Sequence, residues 1–406
     1  MHRTPLSSTL ALALAVLSCG PAGSGGPGDA GPTFDGGTWY HDVLPVVQLH
    51  CQACHRAGDI APFALDGYDA GYAHHQAMAA AVASGLMPPW KPSPACAPVE
   101  HARGLDDAGV QAIVRWSQAG APAGDPADAP PPPDAGFTGL PVVSATLTAA
   151  QAYTPTRAAG NDDYHCVVVD PGLSQAVDVV GLDIQPGVRG IVHHVILFHA
   201  AAADVQAKAA GSSTGWTCFG SSGVANAAMV GGWVPGTAAQ VFPATTGIRV
   251  PAGHLLVMQV HYNLASADPA PDRTVVRLQY AAQPVARPAA ILGQYDFTFS
   301  IPAGATSYTD VTTGTVPLAG TIWGALPHMH TLGRRITVKV GGACLVDIPD
   351  WDFHWQQLYF FTQPWVVTAG TQVELSCTWR NPGPAPVGWG EGTADEMCLV
   401  YLYATR

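Results

Sequence analysis

The spacing of apolar positions changes its period once along the chain, and the change divides it. Between residues 40 and 118 apolar residues recur at helical intervals, most clearly in DDAGVQAIVRWSQAG, where Val110, Ile113, Val114 and Trp116 share a face. YHDVLPVVQLHC and AHHQAMAAAVASG also read as helices. From about Phe137 onward the runs are those of strands, such as TVVRLQY and VELSCTWR, rich in β-branched and aromatic residues and broken by Pro and Gly. Between the two regimes lies APAGDPADAPPPPDAG, a semi-rigid proline linker. The pattern predicts a multidomain chain: a small all-α domain at 38–120, a linker at 121–137, and two mainly antiparallel, jelly-roll-like β-sandwiches at 138–285 and 286–406. No internal repeat is evident.

Composition agrees with this division. The 406 residues include 45 Gly and 36 Pro, and only 11% are charged, which suits β-rich domains better than helical bundles. Net charge is −12 without a basic cluster, which argues against a nucleic-acid partner, since phosphate recognition needs a cationic face. At the N-terminus, Arg3 precedes an apolar run from Leu10 to Leu17, too short to span a membrane and of the kind that directs export. Val16-Leu17-Ser18-Cys19 is similar to a bacterial lipoprotein cleavage box. Residues 1–18 then read as a signal peptide and 19–37, rich in Gly and Pro, as a tether from a lipidated Cys19; plain secretion is the alternative. Either way the mature protein is expected outside the cytoplasm, in the periplasm or at the cell surface, where disulfides persist.

CQACH, residues 51–55, has the spacing of c-type haem attachment: Cys51 and Cys54 bond to the porphyrin and His55 takes one axial position on the iron. A redox dithiol would want a thioredoxin-like βαβ context and a zinc site a second Cys pair, and neither is present. Met87, on the Pro-pinned SGLMPPW loop, is the candidate distal ligand, with His74 and His75 as competitors. The helical segment resembles small bacterial cytochromes c, and so reads as an electron carrier.

Histidines concentrate in apolar strands of the second region. IVHHVILFH holds His193 and His194 side by side, LLVMQVHYN holds His261, and GALPHMHTLG holds His328 and His330, whose spacing puts both on one face of a strand. One such histidine is ordinarily core or surface. Five together imply partners, because buried imidazoles without them are expensive. Met397, in DEMCLVYLY, adds a thioether, and two imidazoles with a thioether form a soft set suited to copper in both oxidation states. His199, His254 and His354 read as structural, with a place near a metal as the alternative for His254 in PAGHLLV.

The order HH, HY, HxH, EMC over residues 160–403 resembles the copper type II, ascorbate-dependent monooxygenases, the family of peptidylglycine α-hydroxylating and dopamine β-monooxygenases. The resemblance implies two copper ions in two sandwiches facing an open cleft. His193, His194 and His261 would hold the electron-storing copper, and His328, His330 and Met397 the one that works with O2. It implies hydroxylation of a C–H bond of a small organic or peptide-like substrate, with ascorbate or another periplasmic donor as reductant. The tethered haem is a further electron source, expected to serve the three-histidine copper. The adjacent histidines would share one metal through a distortion of the strand that the metal itself imposes.

The same resemblance pairs Cys166 with Cys218 and Cys377 with Cys398; closing loops of roughly 50 and roughly 20 residues stabilises by about 4 and about 3 kcal/mol on the chain-entropy model. Cys96 and Cys344 are left over, paired across domains or free. Tyr164 and Tyr401 resemble tyrosines of the family's substrate site, with a buried structural role as the alternative. The peptide-hydroxylating branch has an arginine two residues before HxH and an asparagine two after the methionine, where this chain has Leu326 and Leu399. That departure points away from peptides and toward a more apolar substrate. A non-enzymatic electron-transfer or copper-binding protein would keep the same ligands without a substrate pocket.

Overall fold

The computed structural model describes residues 37–406 except 53, 58–60, 101, 103, 132–138, 158–159, 236, 238, 266, 354 and 391–393. The expected export signal, Cys19, nearly all of the expected tether, the end of the proline linker and His354 lie outside the described residues. Among the described residues no helix is long and apolar enough to cross a membrane.

The helical spacing gives helices Leu44–His50, Tyr68–Ala83 and Asp107–Gln118, preceded by a π-helical turn at Trp39–Val43. Asp106 caps the last helix by accepting from Gly109 N at 2.8 Å. The helices close on Trp39, Val43, Val47, Leu65, Ile113 and Trp116. Apart from the short contact made by residues 90–100, this is a core of its own.

The rest is built on one long sheet. Its path runs Ala145–Thr148, Val275–Tyr280, Val177–Gln185, Thr246–Val250, Arg287–Tyr295, Cys398–Thr405, Gly320–Met329 and Tyr359–Val367, with Gln240–Val241 beside Val177–Gln185. An antiparallel five-stranded sheet (Trp216–Thr217, Asp162–Val169, His254–Asn263, Val192–Ala201, Ala228–Trp233) covers one half. A four-stranded sheet (Tyr308–Thr315, Gln372–Trp379, Gly333–Val340, Ala343–Ile348) covers the other. Each half encloses an apolar core, one around Leu182, Leu197, Met258 and Val260, the other around Met329, Val338, Leu375 and Val400. The boundary expected near residues 283–290 is not a gap between two bodies. There Arg287–Ala289 pairs in parallel with Thr246–Ile248, so backbone hydrogen bonds run unbroken from one sandwich to the other.

Three disulfides form. Cys166–Cys218 and Cys377–Cys398 join the pairs named above, and Cys96 and Cys344, 248 residues apart, bond to each other. This third bridge ties the stretch after the helical core to the C-terminal sandwich. Val99 forms a bridge with Phe361, Glu100 N donates to Phe360 O at 2.8 Å, and the Trp90 ring lies 5.6 Å from Tyr359. An expected electron delivery to the N-terminal, three-histidine sandwich therefore meets an anchor on the opposite sandwich. Cys344→Ser is expected to leave both sandwiches folded and to lower the unfolding free energy of residues 91–100 by about 2–4 kcal/mol. Native-state hydrogen exchange at Glu100 N checks this, and unchanged protection there would contradict it.

Candidate metal centres and the cavity between them

The sequence raises the question of how His193 and His194 serve one site from an extended strand. Strand Val192–Ala201 pairs with His254–Asn263 so that Val192 faces Tyr262 and His194 faces His261, leaving His193 as an extra residue with a register shift. This is a β-bulge, which cancels the alternation of side chains and turns both imidazoles to one side. The backbone pairing itself supplies the distortion that the sequence reading assigned to a metal.

Three imidazoles meet as a result. His193 Nδ1 and His261 Nδ1 each lie 3.3 Å from His194 Nδ1, and candidate ligand atoms of all three lie within 4.8 Å of one another. Two ligands at about 2.0 Å from one ion at a tetrahedral angle stand about 3.3 Å apart. His261, fully buried, sets its Nε2 2.9 Å from Asp162 Oδ1, which also accepts from Asn263 Nδ2 at 2.9 Å. The carboxylate thus receives Nε2–H and leaves the Nδ1 lone pair pointing into the cluster. The His261 hydrogen bond in turn holds the Asp162 carboxyl below its ordinary range. Burial and the neighbouring His261 and His193 hold His194 well below the usual imidazole range, hence neutral, the form that ligates metals. Tyr164 stacks on His261 with ring centres 4.0 Å apart, so one face of that ligand is packed, and the same tyrosine lines the cavity described below. Asp162→Asn is expected to weaken metal binding at this cluster about 10–100-fold without unfolding the sandwich. Competitive chelator titration measures it, and unchanged affinity would remove Asp162 from the site.

The second group gathers at the end of strand Gly320–Met329. His328 lies within the strand and His330 just beyond it, in a turn rather than on a strand face. His328 Nδ1 bonds Gln356 Oε1, and His330 Nδ1 lies 3.0 Å from Asp395 O. Both acceptors take Nδ1–H and leave Nε2 open. Burial pushes His328 down to about 3, with His330 adding to it, so this imidazole too is neutral. The turn is fixed by Glu396, a carboxylate with no exposed surface. It accepts from His330 N at 3.0 Å, Leu332 N at 2.5 Å, Trp379 Nε1 at 3.0 Å and Met397 N at 3.3 Å. Trp351 Nε1 donates to His330 O at 3.0 Å, and Gly333 is needed there because a Cβ would come within 2.6 Å of Trp351. Met397 leads into strand Cys398–Thr405, which the disulfide to Cys377 holds against the four-stranded sheet.

His194, His328, His330 and Met397 line one cavity of about 360 Å³, with Leu326, Leu399, Tyr164 and Tyr401 also on its wall. Phe353 stands between the groups, its ring centre 5.8 Å from that of His193 and 5.8 Å from that of His330. Asp162, Phe353, Gln356 and Glu396 were not anticipated. Glu396 alone left a sequence signal, an acid next to Met397 at the head of an apolar run. The donor chemistry fits copper at both places: three imidazoles at one, and two imidazoles beside a thioether at the other.

In the helical segment, Cys51 and Cys54 lie in the turn after Leu44–His50 and take no part in the disulfides. His55 Nδ1 lies 3.0 Å from Phe63 O, an acceptor that leaves Nε2 available, and burial pushes the Cys51 thiol up to about 12. The Phe63 ring lies 4.7 Å from His55 and stacks at 3.9 Å on His74. His75 bonds Ser117 Oγ at 2.8 Å, and Met87 packs on the helical core. His199 and His254 lie against each other at the far end of the three-histidine strands, Nδ1 to Nδ1 3.0 Å.

Residues 303–404 match the family model of the copper type II ascorbate-dependent monooxygenase, C-terminal domain. The match includes His328, His330 and Met397 and supports copper-dependent monooxygenase chemistry in general. No curated protein matches the chain. Among solved structures, one titled "Structure of allantoicase" is 13% identical, covers 54% of this chain and 78% of that chain, and has a TM-score of 0.16, a likeness that carries no argument.

Proposed function

We propose that the protein is an exported monooxygenase that hydroxylates a C–H bond of an organic substrate with O2, using two copper ions held by His193, His194 and His261 and by His328, His330 and Met397. The observation that carries this reading is that two donor sets from different sandwiches, one of three imidazoles and one of two imidazoles and a thioether, open on one largely apolar cavity. A relay or storage protein needs the donors but not the cavity, which is why the enzymatic reading is preferred to the non-enzymatic one. The reaction balances as substrate C–H plus O2, two electrons and two protons giving C–OH and water, with ascorbate as the family's reductant. When bound, the copper ions supply the redox chemistry that activates O2. The chain's own residues do the rest. Asp162, Gln356 and Asp395 fix which nitrogen of His261, His328 and His330 faces inward. The apolar walls hold substrate and keep bulk water from the site.

The helical segment is proposed to bind a covalent haem, which Cys51, Cys54, His55 and Met87 would hold and which would supply electrons one at a time. Support comes from the CQACH spacing and the acceptor behind His55. Residues 1–18 are proposed to direct export and Cys19 to carry a lipid anchor.

The decisive experiment is an oxygen-electrode assay of the full-length chain loaded with two copper equivalents, with ascorbate and a panel of organic substrates. One O2 consumed per hydroxylated product supports the assignment. Copper uptake with no substrate-dependent O2 consumption across the panel would favour a relay. Mass spectrometry and the pyridine haemochrome spectrum test the haem separately.

A further inference from the structure

We propose that Phe353, which belongs to the C-terminal sandwich, is a positioning residue of the three-histidine centre, its ring holding His193 in place for the metal. The proposal rests on the reading of His193, His194 and His261 as a copper centre, and adds that the opposite sandwich completes it.

The three imidazoles are held in different ways. His261 gives Nε2–H to Asp162 and lies face to face with Tyr164, ring centres 4.0 Å and planes 5° apart. His194 stands directly opposite His261 in the strand register and meets Tyr164 edge-on at 6.3 Å. His193 is the residue that the register with His254–Asn263 skips, and the pairing with Ala228–Trp233 begins beyond it, at Val195. The ladder therefore does not set the direction of its side chain as it does for His194.

The Phe353 ring supplies what the ladder does not. It lies nearly parallel to the His193 ring, planes 19° and centres 5.8 Å apart, and is itself buried. Phe353 sits in the connection between strands Ala343–Ile348 and Tyr359–Val367. That connection is pinned on both sides of the ring. Trp351 N donates to Arg334 O at 2.8 Å and Trp351 Nε1 to His330 O at 3.0 Å, while Gln356 Nε2 donates to Phe353 O. An imidazole packed on a ring so placed cannot swing away without opening a gap in a close-packed region.

The same ring meets His330 edge-on at 5.8 Å, but with a different consequence. His330 has its Nδ1 on Asp395 O, its N on Glu396 and its O on Trp351, so it keeps its place when the ring is removed. Gln356 bonds the Phe353 carbonyl and not its ring, so the hold of Gln356 on His328 survives a change of side chain. Loss of the ring thus weakens the centre on the other sandwich and spares the centre on its own. Damage to the local fold would do the reverse.

Competitive chelator titration of the full-length protein with copper tests this, each centre being isolated by a background substitution: His328→Ala leaves the three-histidine centre and His261→Ala leaves the other. Phe353→Ala is expected to lower copper affinity about 10-fold in the first background and to change it by less than about 2-fold in the second. Phe353→Leu, which keeps apolar volume without a flat ring, is expected to weaken the same centre, and Phe353→Tyr to retain the affinity of the parent. The Cu(II) EPR spectrum in the first background is expected to shift with Ala and Leu and to stay as it was with Tyr, a signature of ligand placement that loss of stability alone would not give. Equal loss in both backgrounds, loss confined to the second, or unchanged affinity with Ala and Leu alike overturns the proposal. A His328→Ala parent that takes up no copper overturns it together with the copper reading of the cluster. A parent that binds copper no better than its Phe353→Ala and Phe353→Leu derivatives sinks this proposal and leaves that reading standing.

Discussion

His328→Ala is expected to remove one of two bound copper equivalents and to lower substrate-dependent O2 consumption roughly 1,000-fold, while the three-histidine cluster still takes up its metal. The two donor sets share no ligand and sit on different sandwiches, so loss of one imidazole leaves the other set complete. His328 is not a load on the fold either. Gln356, which its Nδ1 bonds, also donates to Phe353 O and so keeps a hydrogen bond in the variant. Met397→Leu is the complementary change: it keeps apolar volume at a buried position and removes only the sulfur. Copper counted by metal analysis and O2 uptake measured on the same preparations decide it. If His328→Ala retained both copper equivalents and full turnover, the assignment of this group as a metal centre would fall.

The candidate ligands of the proposed metal centres stand out in the sequence because their residue types are conspicuous. Imidazoles and a thioether in β-branched runs have few other reasons to be there, and the HH, HY, HxH and EMC words are short and local. What joins them is not local. The bulge at His193 exists only in the pairing with a strand some 70 residues later, as does the choice of Asp162 to orient His261 across 99 residues. Phe353 and Gln356 sit in a loop of ordinary residue types with no periodic pattern, so nothing in the one-dimensional order marks them. The helical stretches were legible from Trp116 and its apolar neighbours. The sheet shared by the two sandwiches was not, because a parallel contact of three residues between strands Thr246–Val250 and Arg287–Tyr295 leaves no trace in the alternation of either strand. The Cys96–Cys344 bridge was left open for the same reason: separation in sequence says nothing about proximity.

Glu396→Gln is expected to lower the unfolding free energy by about 2–4 kcal/mol and to weaken copper at the His328–His330–Met397 group about 10–100-fold, leaving the three-histidine cluster unaltered. The reason is an accounting of donors. All four partners of the carboxylate are N–H groups, from His330, Leu332, Trp379 and Met397. Burial pushes the carboxyl up to about 7 against the pull of those donors, yet only the charged form satisfies them all, since a protonated oxygen would have to face an N–H. Glutamine has the same shape and turns an NH2 toward at least one of these donors, leaving it unmet in a site with no exposed surface. The same carboxylate holds the backbone of both His330 and Met397, so relaxing it moves two ligands at once. It is a positioning residue, and its test separates that role from a merely structural one. Urea unfolding of the disulfide-intact chain reports stability, and chelator competition at the two centres reports ligand placement. A loss of stability with unchanged copper affinity at both centres would show that Glu396 holds the fold but not the metal site.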